Sequence, residues 1–140
     1  MNNNHVTRVM LDTNVLFSAI YKFDGTPFNA FAKASEMPYR IVLCDQIIDE
    51  LRRNFNRKFP AKIPVLERFL ALAQYDLITL TLEDEAVDEE KNIRDVSDRP
   101  ILRAALKAQV DIFVTGDKDF LESGLQNPKI MSAAQFLQNG

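Results

Sequence analysis

The sequence predicts an α/β fold, a mostly parallel sheet of four or five strands flanked by helices. Three observations predict it. Short, β-branched, apolar runs recur along the 140-residue chain. Stretches with apolar residues at helical spacing lie between them. The strand-like runs are apolar at consecutive positions, as in strands covered on both faces. Strands alternating with helices imply βαβ units, hence parallel neighbours with helices on both faces.

The first strand is expected over residues 6–11 and runs into Asp12, Thr13 and Asn14. Further strands are expected at 40–43, 77–80 and 111–115, with a weaker one at 129–131. Phe28, Phe31, Ala32 and Ser35 follow Pro27 at helical spacing, and proline is favoured in a first helical turn. Ile47, Ile48, Leu51 and Phe55 make an apolar stripe within 45–59. Leu66, Phe69, Leu70 and Ala73 do the same within 63–74. An Ala- and Leu-rich helix is expected over 101–110, and a last one over 132–137. The acidic segment 83–90 reads as a solvated loop or helix face. No repeat or Gly/Ser linker interrupts the pattern, so residues 1–140 read as one domain, with 1–5 a disordered polar tail.

Hydrophobic residues make up 46% and charged residues 26%, a balance that supports a buried core and argues against disorder. The single cysteine, Cys44, excludes an intramolecular disulfide and a thiolate-rich zinc site. His5, the single histidine, lies in the polar tail. No apolar run is long enough to span a membrane, and the N-terminal residues do not form a secretory leader, so the cytoplasm is the expected compartment. The formal net charge of −3 is not that of a passive nucleic-acid binder. A nucleic-acid role then needs another source of affinity, such as a bound divalent cation.

In a parallel α/β sheet, ligands gather beyond the carboxyl ends of the strands. Asp12 ends the first strand, and Asp117 follows the strand at 111–115, with Asp119 two residues on. Glu50 lies mid-helix beside Ile47 and Leu51, and Asp98 opens the helix at 101–110. Singly, each has an ordinary explanation. Asp12, Asp95 or Asp98 can cap a helix, Asp117 can sit in a turn, and Glu50 can pair with Arg53 or Asn54. Together they bring four acids from four separated segments toward one sheet edge. Two unit charges about 5 Å apart repel by about 3 kcal/mol at an effective dielectric of 20. Such a group must be protonated, solvated or neutralised by cations. Oxygen-only ligands suit Mg²⁺ or Mn²⁺, and one or two such ions serve phosphodiester cleavage.

The motifs that carry these acids resemble those of a known family. Leu11-Asp12-Thr13-Asn14-Val15 resembles the opening motif of PIN-domain nucleases. Ile48-Asp49-Glu50-Leu51 resembles their second motif. The stretch from Asp95 through Asp98-Arg99-Pro100-Ile101-Leu102 to Ala104-Ala105 resembles the third, and Val114-Thr115-Gly116-Asp117-Lys118-Asp119-Phe120-Leu121 the fourth. Ser132-Ala133-Ala134-Gln135-Phe136-Leu137 resembles the ending of the VapC-like toxin branch. The order and spacing match over nearly the whole chain. The resemblance implies a three-layer α/β/α fold and Mg²⁺- or Mn²⁺-dependent cleavage of single-stranded RNA. It also implies a cognate antitoxin as partner and a homodimer.

Carried over by position, the resemblance implies Asp12, Glu50, Asp98 and Asp117 as metal ligands and catalytic residues. It implies Asp119 as an outer or second-metal ligand, and Asn14 and Thr115 as groups that orient the carboxylates. Asp95 competes with Asp98 for the third place; Asp98 fits the spacing to Ala104-Ala105 better. Arg99 departs from the branch, which often has Asn or Asp there, and can reach a phosphate instead. Arg99, Lys118 and Arg53 are the candidate substrate contacts, with Lys22, Arg52, Arg57 and Lys58 as further basic residues near the motifs. Tyr21 and Phe23 read as core residues rather than base-stacking platforms. Two rival classes remain. One is an idle RNA- or protein-binding module on the same fold. The other is a receiver-type phosphoryl-transfer domain using Asp45, which leaves Glu50 and Asp98 without a role.

Overall fold

The structure, a computed structural model, describes residues 5–139. The expected disordered tail falls mostly outside the described residues; His5, at its end, is exposed. Five strands form one sheet: β1 (Thr7–Leu11), β2 (Tyr39–Cys44), β3 (Asp76–Ile78), β4 (Ile112–Val114) and β5 (Lys129–Met131). All neighbours are parallel, in the order β3-β2-β1-β4-β5. The helices are α1 (Thr13–Tyr21), α2 (Gly25–Ala34), α3 (Asp45–Lys58), α4 (Ile63–Leu72), α5 (Arg99–Lys107), α6 (Lys118–Leu121) and α7 (Ala133–Asn139).

Val9, Met10 and Leu11 are each 0% exposed. Consecutive strand residues point to opposite faces, so both faces of β1 are covered. That is the three-layer arrangement the sequence predicts. The long amphipathic helix α3 buries Ile47, Ile48, Leu51 and Phe55, the stripe expected of it. Phe55 meets Phe17 of α1 at 4.5 Å between ring centres. This contact fixes α3 beside α1 and so fixes where Glu50 points.

The chain leaves β1 toward β2 and β3 on one side, then returns to add β4 and β5 on the other. The order therefore switches between β1 and β4. Leu11 pairs with Val114, and the Asp12 amide donates to the Val114 carbonyl at 2.9 Å. Asp12 and the segment after β4 thus open onto the same crevice, where such folds place their ligands.

Several expectations need correction. β3 begins at Asp76, one residue earlier than expected, and stops at Ile78. Asp76 anchors that start because its carboxylate bridges Arg8 at 3.3 Å and Arg40 at 2.7 Å, on the two adjoining strands β1 and β2. α5 begins at Arg99 rather than residue 101, with Pro100 in its first turn. Tyr21 and Phe23 are not core residues: they are 42% and 60% exposed. Tyr21 packs laterally on Phe59, and Phe23 meets the edge of Phe28.

The acidic segment is not wholly solvated. Glu90 is buried, and its two carboxylate oxygens take Nε and Nη2 of Arg103 at 2.9 and 2.8 Å. The Val87 amide donates to the same carboxylate at 2.8 Å. Charge runs announce solvation, but one acid with a matching arginine on α5 escapes that rule. Arg103, followed by the Val87 amide, holds the Glu90 carboxyl below its ordinary range. Arg103→Ala leaves a buried carboxylate without its partner, and is expected to cost roughly 3 kcal/mol in urea unfolding. A loss below about 0.5 kcal/mol would mean that the pair does not anchor this segment to α5.

Candidate active site

Asp12 sits where β1 ends, and its two oxygens are fixed separately. Oδ1 accepts from the Thr13 amide at 2.8 Å, and Oδ2 accepts from the Thr115 hydroxyl at 2.7 Å. The ordinary capping role is therefore real, because Asp12 caps α1. Yet Thr115, fully buried beyond β4, ties the same carboxylate to the neighbouring strand. Thr115 Oγ1 also accepts from the Asp117 amide at 3.0 Å. One hydroxyl thus sets Asp12 and the Asp117 backbone together. Asp117 caps α6 through the Asp119 amide at 2.9 Å.

Glu50 reaches in from α3. Its Oε1 accepts from the Thr13 hydroxyl at 2.6 Å, and its Oε2 from the Gln46 amide nitrogen at 3.1 Å. It does not pair with Arg53 or Asn54. Gln46 also donates to the Ser97 carbonyl at 2.8 Å, which ties α3 to the turn that carries Asp98. Asp98 stands at the start of α5 but makes no capping hydrogen bond there. Its carboxyl instead lies within hydrogen-bonding reach of Asp117.

The choice between Asp95 and Asp98 dissolves in three dimensions. Carboxylate oxygens of Asp95, Asp98 and Asp119 all lie within 4.8 Å of one another. Asp95 is exposed and also caps a short turn through the Ser97 amide at 3.0 Å. Asp119 is held by Arg94, with Nη2 at 2.8 Å.

Burial, more than crowding, sets the electrostatics of these acids. Burial, with a smaller contribution from the charges of Glu50 and Asp117, pushes the Asp12 carboxyl up to about 6 despite its two hydrogen bonds. Loss of solvation, then the charges of Asp95, Asp117 and Asp12, push Asp98 up to about 7. Cys44 supplies no alternative nucleophile, since burial pushes its thiol up to about 11.

Three contributors escaped the sequence reading. Thr13 and Gln46 hold Glu50; Gln46 stands one turn before it, a spacing that could have suggested the contact. Arg94 lies in no motif and gave no signal. Asn14, expected to orient the carboxylates, is exposed, and its side chain makes no hydrogen bond among the described residues. Arg99 donates its Nε to the Ile93 carbonyl at 2.9 Å. Of the other basic candidates, Arg52 is held by Glu67, Arg57 by Asn54, Lys22 by Asp24, and Lys58 lies over the Phe17 ring. Arg53 and Lys118 are exposed and their side chains have no such partner among the described residues.

A family model described as the PIN domain matches residues 8–119, a span that includes Asp12, Glu50, Asp98 and Asp117. The chain belongs to the PIN-domain family. Solved structures with the same fold include VapBC2 from Rickettsia felis bound to a DNA fragment from their promoter. That likeness has TM-score 0.65 at 17% identity, covering 90% of this chain and 98% of that one. VapC20 from Mycobacterium tuberculosis, a sarcin–ricin loop cleaving toxin, aligns with TM-score 0.60 at 16% identity, covering 84% of this chain and 95% of that one. PAE2754 from Pyrobaculum aerophilum aligns with TM-score 0.60 at 14% identity, covering 94% of each chain. No curated protein sequence matches this PIN domain.

The raised carboxyls fix the sign of a pH effect. Between their unfolded value near 3.8 and their folded values of about 6 and 7, Asp12 and Asp98 bind more protons folded than unfolded. Their contribution to stability is therefore present at acid pH and lost as pH rises through 6 and 7. In metal-free protein, Asp98→Asn is expected to melt a few degrees above wild type at pH 8, and the gap is expected to close toward pH 5. Asp12→Asn is the poorer probe, because its amide nitrogen would face the Thr115 hydroxyl that now donates. If Asp98→Asn melts lower at pH 8, Asp98 supports the fold and the crowding argument fails.

Proposed function

We propose that this PIN domain is a metal-dependent endoribonuclease that cuts single-stranded RNA, the toxin half of a toxin–antitoxin pair. The observation that carries the reading is the group of carboxylates at the β1/β4 switch point, with two carboxyls raised toward neutrality. Solved structures of the same fold supply the rest: one is a sarcin–ricin loop cleaving toxin, another is VapBC2 bound to promoter DNA. The partners that follow are an RNA substrate, a cognate antitoxin and a second copy of the chain, all in the cytoplasm. No described helix is long and apolar enough to cross a membrane.

The donor set fits a hard divalent cation. It is all oxygen, and burial together with neighbouring negative charge disfavours the ionised forms of Asp12 and Asp98. Asp12, Glu50, Asp98 and Asp117 are the residues that would hold one or two ions of Mg²⁺ or Mn²⁺, with Asp119 as an outer ligand. When bound, such ions make a nucleophile of water and stabilise charge on the phosphate oxygens.

The chain's own groups do the positioning. Thr115 and the Thr13 amide each hold one oxygen of the Asp12 carboxylate. Thr13 and Gln46 do the same for Glu50, so both carboxylates are oriented before any ligand arrives. Asp98, whose carboxyl burial pushes up to about 7, would have to be deprotonated to hold a cation. Arg94 balances Asp119 while the site is free of metal. Lys118, unpaired beside Asp117, faces the solvent side and can meet a phosphate.

A labelled single-stranded RNA pool is expected to be cut with Mn²⁺ or Mg²⁺ and left intact with EDTA. Asp98→Asn is expected to lose at least a hundredfold in rate. Mn²⁺ is expected to raise the wild-type melting temperature, by less in the variant, and its affinity to climb between pH 5.5 and 7.5 as protons are displaced. Cutting that continues in EDTA would contradict the metal role. Absence of both cutting and Mn²⁺ binding would favour the idle binding module.

A further inference from the structure

A cleft of about 300 Å³ opens beside the carboxylates, between α3 and α5 at the carboxyl ends of β2 and β3. Ile78, Leu80, Pro100 and Ala104 give it apolar surface. Gln46 lines it too, and the Gln46 amide that touches Glu50 at 3.1 Å and the Ser97 carbonyl at 2.8 Å stands between cleft and carboxylates. Pro100 is two residues past Asp98, so the cleft adjoins both the helix that carries Glu50 and the turn that carries Asp98.

Asp49 and Arg53 also line the cleft. They stand one helical turn apart on α3, a spacing at which opposite charges commonly pair. Neither side chain makes a hydrogen bond or ion pair among the described residues, although the Asp49 charge also acts on Arg52. The neighbouring Arg52, on another side of the same helix, is fully engaged by Glu67. A carboxylate and a guanidinium without side-chain partners thus share a cleft of mixed polarity, which Asp45 also lines.

The bases differ in how well they match that pair. Guanine offers two donors side by side, N1–H and N2–H, which suit one carboxylate. It also offers two acceptors, O6 and N7, which suit one guanidinium. Adenine lacks the N1 donor, uracil has a single donor, and cytosine lacks the second acceptor edge. Single-stranded RNA can present its bases unstacked, with both edges free to be read.

We propose that this cleft holds a guanine base adjacent to the phosphate that is cut, with Asp49 accepting from N1–H and N2–H and Arg53 donating to O6 and N7. The proposal rests on the ribonuclease reading above. Asp49 and Arg53 then set sequence preference, while the carboxylate group sets chemistry.

The test is a random-sequence single-stranded RNA library cut with Mn²⁺, both cut ends being sequenced, for wild type, Asp49→Asn and Arg53→Gln. Wild type is expected to enrich guanine at one position flanking the cut. Asp49→Asn presents an amide that matches N6–H and N1 of adenine, so the guanine-to-adenine ratio there is expected to fall about tenfold. Arg53→Gln is expected to lower guanine enrichment at that position alone. A merely structural role for either residue would slow all cuts alike and leave base frequencies unchanged. Metal-dependent cutting with no guanine preference, or with a preference both variants retain, overturns the cleft proposal and leaves the nuclease standing. Should no RNA be cut, the nuclease reading fails. The cleft is then judged by fluorescence anisotropy of labelled RNA pentamers on the Asp98→Asn variant, where equal affinity for guanine and adenine pentamers overturns it.

Discussion

The rest of this structure depends on a single constraint: acidic side chains are held together and partly buried beyond the carboxyl end of the central strand. Asp12 is 6% exposed, yet it carries a carboxylate among several others. Raising its carboxyl from 3.8 to about 6 corresponds to roughly 3 kcal/mol against the charged form. That cost falls at the carboxyl end of the central strand, where serine or asparagine would cap the helix as well. Most of that cost comes from burial, with smaller additions from the charges of Glu50 and Asp117, and a bound cation would offset it.

Everything around the acids serves to keep them oriented. The Thr115 hydroxyl links the ends of β1 and β4. Thr13 links α1 to Glu50 on α3, and Gln46 links α3 to the turn before Asp98. These are short polar bridges between elements whose relative positions are already set by apolar packing, with Phe17 against Phe55 as one instance. The division of labour is plain: the core fixes the backbone, and a few neutral hydrogen bonds fix the rotamers. Neutral donors suit this task, since a fixed internal cation there would compete with a metal. Arg94 is such a cation, but it acts at the outer edge, on Asp119, and is itself 72% exposed and able to move away.

Much of this was legible in the sequence, for identifiable reasons. Buried parallel strands need unbroken apolar runs, so β1, β2, β4 and β5 announced themselves. The stripe Ile47, Ile48, Leu51 and Phe55 located α3, and with it Glu50. β3 was misplaced by a residue because its start is set by Asp76, an acid that ordinary strand propensity discourages and Arg8 and Arg40 hold in place. Glu90 was misread for a related reason: its arginine partner lies 13 positions away, beyond any local pattern. In the candidate site, motif spacing pointed to the four principal acids. It could not reveal that Asp95 and Asp98 both approach Asp119, or that Thr13 rather than Asn14 touches Glu50. Those contacts depend on side-chain direction, which spacing along the chain leaves open.

The central claim is that the acids at the β1/β4 crevice form one cation site. A crystal soaked in Mn²⁺ and measured at the manganese absorption edge tests it directly. The account predicts anomalous density bounded by Asp12, Asp98 and Asp117, lost in Asp98→Asn crystals. Density elsewhere on the surface, or none among these carboxylates at saturating Mn²⁺, would contradict it.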